Sequence, residues 1–192
     1  MGNSLISIFL NSMLTNNVLV VYFLGLCSFF GVTNKLSVAW SMSVAVILVT
    51  FIASQLAYVI DIVTTLIQVE HLRNLAKIAV IASTVQIIDI VMKSSMSGMH
   101  KAFGIYLALI TTNCLVFGVA VIQTSKGYSY TECISYSLGA GFGYTLMMMI
   151  MAGLRVRLEL SNPPELMKGA VLSLIIACYL SFLMQGFNGL GN

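Results

Sequence analysis

Charge is what this sequence has least of: Asp, Glu, Lys and Arg together make 8% of 192 residues, against 59% apolar ones. A water-soluble domain with so little charge and a mean hydropathy of +0.99 would aggregate, so lipid has to be the solvent. Proline is nearly absent as well, with two residues, Pro163 and Pro164, in Leu-Ser-Asn-Pro-Pro-Glu. That pair marks the longest linker and leaves no room for a separate soluble domain. No CxxC pair and no His-rich spacing occurs among four cysteines and two histidines, so spacing alone gives little support to a metal site. No cleavable leader is expected, because the start carries no basic segment and its apolar run continues too far. Met-Gly-Asn-Ser-Leu-Ile falls short of a myristoylation start, since Ile6 stands where Ser or Thr is needed.

What is present is a series of long uncharged stretches. Met1 to Asn34, Leu36 to Ile60, Ala102 to Ser125, Cys133 to Leu154 and Gly169 to Asn192 can each cross about 30 Å of hydrocarbon as a helix. Leu72 to Met92 makes a sixth, with Arg73 and Lys77 at its start and Asp89 and Lys93 near its end, where long basic chains can snorkel. The expected fold class is an all-α integral membrane protein of about six transmembrane helices. Basic residues set its orientation. Lys35, Lys93, Lys101, Arg155, Arg157 and Lys168 fall on one side, and Arg73, Lys77 and Lys126 on the other. The richer side faces the cytoplasm, which puts both termini outside. A reporter fused after Asn192 and active in the cytoplasm would reverse this orientation.

Thr15-Asn16-Asn17-Val18-Leu19-Val20 overlies Thr111-Thr112-Asn113-Cys114-Leu115-Val116 at an offset of 96, half the chain. Two three-helix units, residues 1–96 and 97–192, are therefore expected, the second inverted because each holds an odd number of helices. In both copies a polar triplet interrupts an apolar run, where Thr and Asn compete for backbone hydrogen bonds. Helices one and four are expected to be discontinuous near Asn16 to Asn17 and Thr112 to Asn113. The alternative is two continuous helices whose amides bond across to neighbours.

Buried structural thiols are the ordinary reading of each of Cys27, Cys114, Cys133 and Cys178. Depth separates them to a degree. Counting from Lys35 and from Lys101 puts Cys27 and Cys114 roughly 12 and 20 Å from one face, a gap that unwinding at Thr111 to Asn113 would narrow. Cys133 belongs near the opposite face and Cys178 in mid-helix, both structural. Asp61 and Asp89 stand at helix ends, where a carboxylate is usually solvated. Gly139, Gly141, Gly143 and Gly153 read as close helix packing, and Met147, Met148, Met149 and Met151 as lipid-facing or gap-filling.

Several segments taken together resemble a known family: Asn16-Asn17-Val18-Leu19-Val20, Phe23-Leu24-Gly25-Leu26-Cys27, Gly104-Ile105-Tyr106-Leu107, Leu109-Ile110-Thr111-Thr112-Asn113-Cys114 and Gly186-Phe187-Asn188-Gly189-Leu190. The chain resembles, end to end, the A subunits of the Rnf complexes, ion-translocating ferredoxin:NAD oxidoreductases of the bacterial inner membrane. The related E subunits belong to the sodium-pumping NADH:quinone oxidoreductases. The resemblance implies a non-autonomous component of a translocase, with Cys27 and Cys114 giving two thiolates to the iron of a [2Fe-2S] cluster within the membrane. It implies that the other two ligands come from a homologous sister protein of inverted topology, the E subunit, and that the B, C, D and G subunits complete the assembly. A [2Fe-2S] cluster takes four protein ligands, and this chain offers two at comparable depth. The repeat mates of Cys114 and Cys27 are Val18 and Gln123, so internal symmetry cannot supply the rest. Ala108 stands where the family commonly has Pro, and Asn162 where an acid often precedes Pro163, with Glu165 nearby. Two other functions compete: a secondary transporter using the same broken helices without redox chemistry, and a purely structural assembly subunit.

Overall fold

In the computed structural model, residues 5–33, 35–66, 73–95, 109, 113–160 and 169–186 are described, and every regular element among them is helical. They are α1 (Leu5–Leu10), a π-helical turn (Asn11–Thr15), α2 (Val18–Tyr22), α3 (Leu26–Val32), α4 (Leu36–Leu66), α5 (Arg73–Ser95), α6 (Cys114–Ser125), α7 (Tyr130–Leu160) and α8 (Ala170–Gln185). Two stretches are long and apolar enough to cross a bilayer on length and composition, Leu36–Thr65 and Tyr130–Leu158. Shorter apolar helices cover Leu5–Thr15, Cys114–Ser125 and Val171–Gln185.

The molecule is organised around α4 and α7, which pack along one another. On α4 the buried residues Ala39, Met42, Val46, Val49, Ala53 and Ala57 recur every three or four positions, which puts them in one stripe. Trp40, Val44, Leu48, Ile52, Leu56 and Val59 are exposed and lie on other faces of the same helix. A helix apolar on every side suits a lipid or protein surround. The α7 side of the core holds Tyr136, Ala140, Tyr144, Met147, Met148, Met151 and Ala152, all buried. Three of the four clustered methionines are therefore gap-fillers inside the protein, not lipid-facing residues.

The glycines of α7 let two neighbours come close. A Cβ on Gly139 would lie 2.6 Å from the Phe9 carbonyl oxygen, and one on Gly143 would lie 2.7 Å from that of Met13. Gly141 faces the other way, onto Ile47 of α4 at 3.1 Å. Gly153 differs from the expectation, for none of the described residues lies within 4 Å of where its Cβ would be. Asp61 also differs: α4 runs on to Leu66, because Ile62, Val63 and Leu66 continue the apolar run, so this carboxylate sits inside a helix rather than at its end. Arg155 ties the far end of α7 to α3, its Nη1 donating to the Phe30 carbonyl and to Thr33 Oγ1, each at 3.0 Å. The Pro163 and Pro164 linker, Asn162, Glu165, Ala108 and the side chain of Asp89 lie outside the described residues.

Candidate functional site

The first apolar run is not one helix. Its interruption at Asn16 and Asn17 frees backbone groups that lipid cannot satisfy, and local side chains take them up. Asn16 N donates to the Asn11 carbonyl at 2.7 Å, closing the π-turn. Asn17 Nδ2 donates to the Met13 carbonyl at 3.0 Å, while its Oδ1 accepts from Leu19 N at 3.0 Å and so caps α2. Asn113 does the same for α6, with Oδ1 accepting from Leu115 N at 3.1 Å. The two caps stand 96 positions apart and share an extended backbone, φ −62° and ψ 122° at Asn17, φ −71° and ψ 112° at Asn113. Both asparagines cap the helix that follows them, and at Asn17 the first apolar run is broken. The rest of the expected interruption, Thr111 and Thr112, lies outside the described residues.

A second break, which the sequence pattern does not reveal, follows immediately. Helix α2 ends at Phe23, a non-glycine in the left-handed region at φ 54°, and α3 begins after Gly25 at φ 88°. A bulky side chain costs energy in that conformation, whereas glycine adopts it freely. Phe23 N donates back to the Val18 carbonyl, and the Leu24 side chain fills the space over Gly118 of α6.

This turn brings Gly25 against Cys114 of the second half of the chain. Gly25 N donates to Cys114 Sγ at 2.9 Å, across 89 residues of sequence. Cys27 is two residues beyond Gly25, a span of at most about 7 Å of chain. Counting along unbroken helices leaves the two thiols at different depths. The turn at Phe23 to Gly25 and the fresh start of α6 at Cys114 bring both to one neighbourhood. Cys114 is half-buried at the first residue of α6, where unpaired amides and the helix dipole favour negative charge. Cys27 is exposed. An apolar cleft of about 350 Å³ is walled by Phe23, Leu26 and Phe30 on one side and Ala177, Cys178 and Phe182 of α8 on the other, and Cys27 is not part of its lining. Cys178 is thus at the surface of that cleft. Cys133 is buried elsewhere, its Sγ 3.7 Å from the Tyr128 carbonyl. Among the described residues no three His, Cys, Asp or Glu side chains gather where they could hold a metal by themselves.

The position 96 residues beyond Cys27 offers a contrast. Gln123, the mate of Cys27, is buried and paired with Ser54: Ser54 Oγ donates to its Oε1, and its Nε2 donates to the Ser54 carbonyl at 2.8 Å. Val18, the mate of Cys114, is buried in the apolar core. Two hydrogen bonds of one side-chain amide therefore stitch α6 to α4 at that position.

Known proteins share this chain's sequence from end to end. The family described as Rnf-Nqr subunit, membrane protein, matches residues 5–191. The A subunit of the ion-translocating oxidoreductase complex from Azoarcus sp. (strain BH72) is 41% identical over 184 residues, 95% of each chain. Its namesake from Syntrophotalea carbinolica is 37% identical over 188 residues, 97% of each chain. The A subunit of the Na(+)-translocating ferredoxin:NAD(+) oxidoreductase complex of Acetobacterium woodii is 36% identical over 188 residues, 97% of this chain and 98% of that one. With a broken, asparagine-capped first helix, a lipid-suited surface and near-complete coverage by such relatives, this chain belongs to the Rnf-Nqr family of membrane-protein subunits.

Proposed function

We propose that this chain is a membrane component of an ion-translocating ferredoxin:NAD oxidoreductase complex of the bacterial inner membrane. In this reading it crosses the bilayer six times as two inverted three-helix halves, residues 1–96 and 97–192, with both termini outside. Cys27 and Cys114 supply two of the four ligands of a [2Fe-2S] cluster, and a homologous sister protein of inverted topology supplies the other two. The names of the relatives support the complex and the translocation of an ion, Na⁺ in one of them; this chain's complex moves Na⁺ or H⁺. The single observation that carries the site is the Gly25 N–H directed at Cys114 Sγ, 2.9 Å away, beside Cys27.

The donor set fits such a group. Two thiols on adjoining turns, one exposed, make half a ligand set open to another chain, which is what a shared cluster needs. When bound, a [2Fe-2S] cluster supplies a one-electron relay in a low-dielectric interior. The chain's own residues prepare the place for it. Asn113 fixes where α6 starts, and therefore where Cys114 stands. Gly25 gives an amide hydrogen to the sulfur, which stabilises thiolate charge that lipid would otherwise disfavour. Leu115, Phe29 and Val20, all buried nearby, keep water from the inner side.

Iron and acid-labile sulfide in the purified complex test this reading. The Cys27→Ala plus Cys114→Ala variant is expected to assemble with its partners but lose the spectrum of this cluster, and with it ferredoxin-dependent NAD reduction. A spectrum that survives the double substitution would remove the ligand assignment. Full activity without it would leave a structural subunit, and transport without any cluster in the unaltered complex would leave a secondary transporter.

A further inference from the structure

Behind the cysteine turn lies a chain of buried hydrogen bonds that thiol ligation alone does not require. Tyr144 of α7 is fully buried, and its hydroxyl is 2.7 Å from Ser28 Oγ. Ser28, itself buried on α3, has its Oγ 2.9 Å from the Gly25 carbonyl. A carbonyl oxygen can only accept, so the single Ser28 proton is committed to Gly25. Ser28 must therefore accept from Tyr144, whose O–H donates. Asn113 Nδ2 also donates to Ser28 Oγ, at 3.4 Å. One proton given and two lone pairs filled leave the Ser28 hydroxyl no freedom to turn.

These bonds converge on Gly25 from the side opposite Cys114. Its carbonyl accepts from Ser28 and from Phe29 N at 3.0 Å, while its own N–H goes to Cys114 Sγ. Around its α-carbon, a Cβ would come within 3.2 Å of Tyr144 Cε2, 3.4 Å of Leu115 Cβ and 3.5 Å of Asn113 Oδ1. Asn113 belongs to both sides of the arrangement: it caps α6 and so sets Cys114, and it bonds Ser28, which sets Gly25. A glycine at φ 88° has little stiffness of its own, so the neighbours decide where its N–H points.

We propose that Tyr144 is a positioning residue which, through Ser28 and the Gly25 turn, aims the Gly25 N–H at Cys114 and thereby tunes the redox centre that Cys27 and Cys114 hold. This rests on the cluster reading above. Hydrogen bonds to the sulfurs of an iron–sulfur centre are among the determinants of its reduction potential, and a donor favours the more negative, reduced form. A buried tyrosine that merely needs a partner for its hydroxyl would affect stability alone.

The test is a redox titration of the purified whole complex, followed by electron paramagnetic resonance, for the unaltered chain and for Tyr144→Phe, Ser28→Ala and Ser28→Thr. Tyr144→Phe keeps the ring and removes only the proton donor. It is expected to retain iron and sulfide while the midpoint potential falls, by up to about tenfold in the one-electron equilibrium, about 59 mV. Ser28→Ala should move it the same way, and Ser28→Thr, which keeps the hydroxyl, should restore it. An unchanged potential in Tyr144→Phe at full iron content would overturn the proposal. If that variant does not accumulate, an unchanged potential in Ser28→Ala would do so. Absence of any cluster in the unaltered complex, or its persistence in the double cysteine variant, would refute the ligand reading itself and is told apart by iron content.

Discussion

Asn17 shows how much one side chain does where water is absent. It accepts from Leu19 N to begin α2 and donates to the Met13 carbonyl to close the turn before it, so two freed backbone groups depend on it. Asn17→Ala should lower stability by about 1 to 2 kcal/mol, the range of a lost helix cap, measured as the apparent melting temperature of the complex in detergent. A variant as stable as the original would mean that the break is held by packing alone. The asparagines are legible in the sequence because an amide pair inside an apolar run has few other uses. Gly25 is not, since a lone glycine in an apolar helix is tolerated for many reasons. Its left-handed turn depends on Cys114, Ser28 and Tyr144, which lie 89, 3 and 119 residues away and meet only in three dimensions.

At the scale of elements, α7 is the surface on which the broken first helix rests. Gly139 and Gly143 recur one helical turn apart on one face and admit the backbone of α1 and the π-turn, while Gly141 admits α4. Gly143→Ala would press a methyl group against the Met13 carbonyl and α-carbon, backbone atoms that cannot turn aside, at an expected cost of about 1 to 3 kcal/mol. Gly153→Ala meets none of the described residues and should change stability by no more than about 0.5 kcal/mol. Parallel thermal unfolding of the two variants checks the contrast, and equal losses would show that the expected close approach is not what holds α1. In the sequence all four glycines look alike. Facing is a property of the partner helix, so only the assembled bundle distinguishes Gly153 from the others.

On the scale of the whole molecule, the low charge and long apolar runs make the all-helical, lipid-suited class legible at once, and the pair of motifs around Cys27 and Cys114 makes the family legible. The second interruption at Phe23 to Gly25 is hidden because nothing polar marks it. It is nevertheless what sets the Gly25 N–H against Cys114. Val18 and Gln123 stand at the same 96-residue offset without a thiol, while the two asparagine caps match at that offset. In the reading proposed above, such a chain holds half a metal centre and a second protein finishes it. The most direct measurement is a density map of the intact membrane complex, with the iron located by its anomalous scattering or by its peak height. Two irons bound by Cys27 and Cys114 of this chain and by two cysteines of another chain are the expected result; iron elsewhere, with these two thiols unligated, would contradict it.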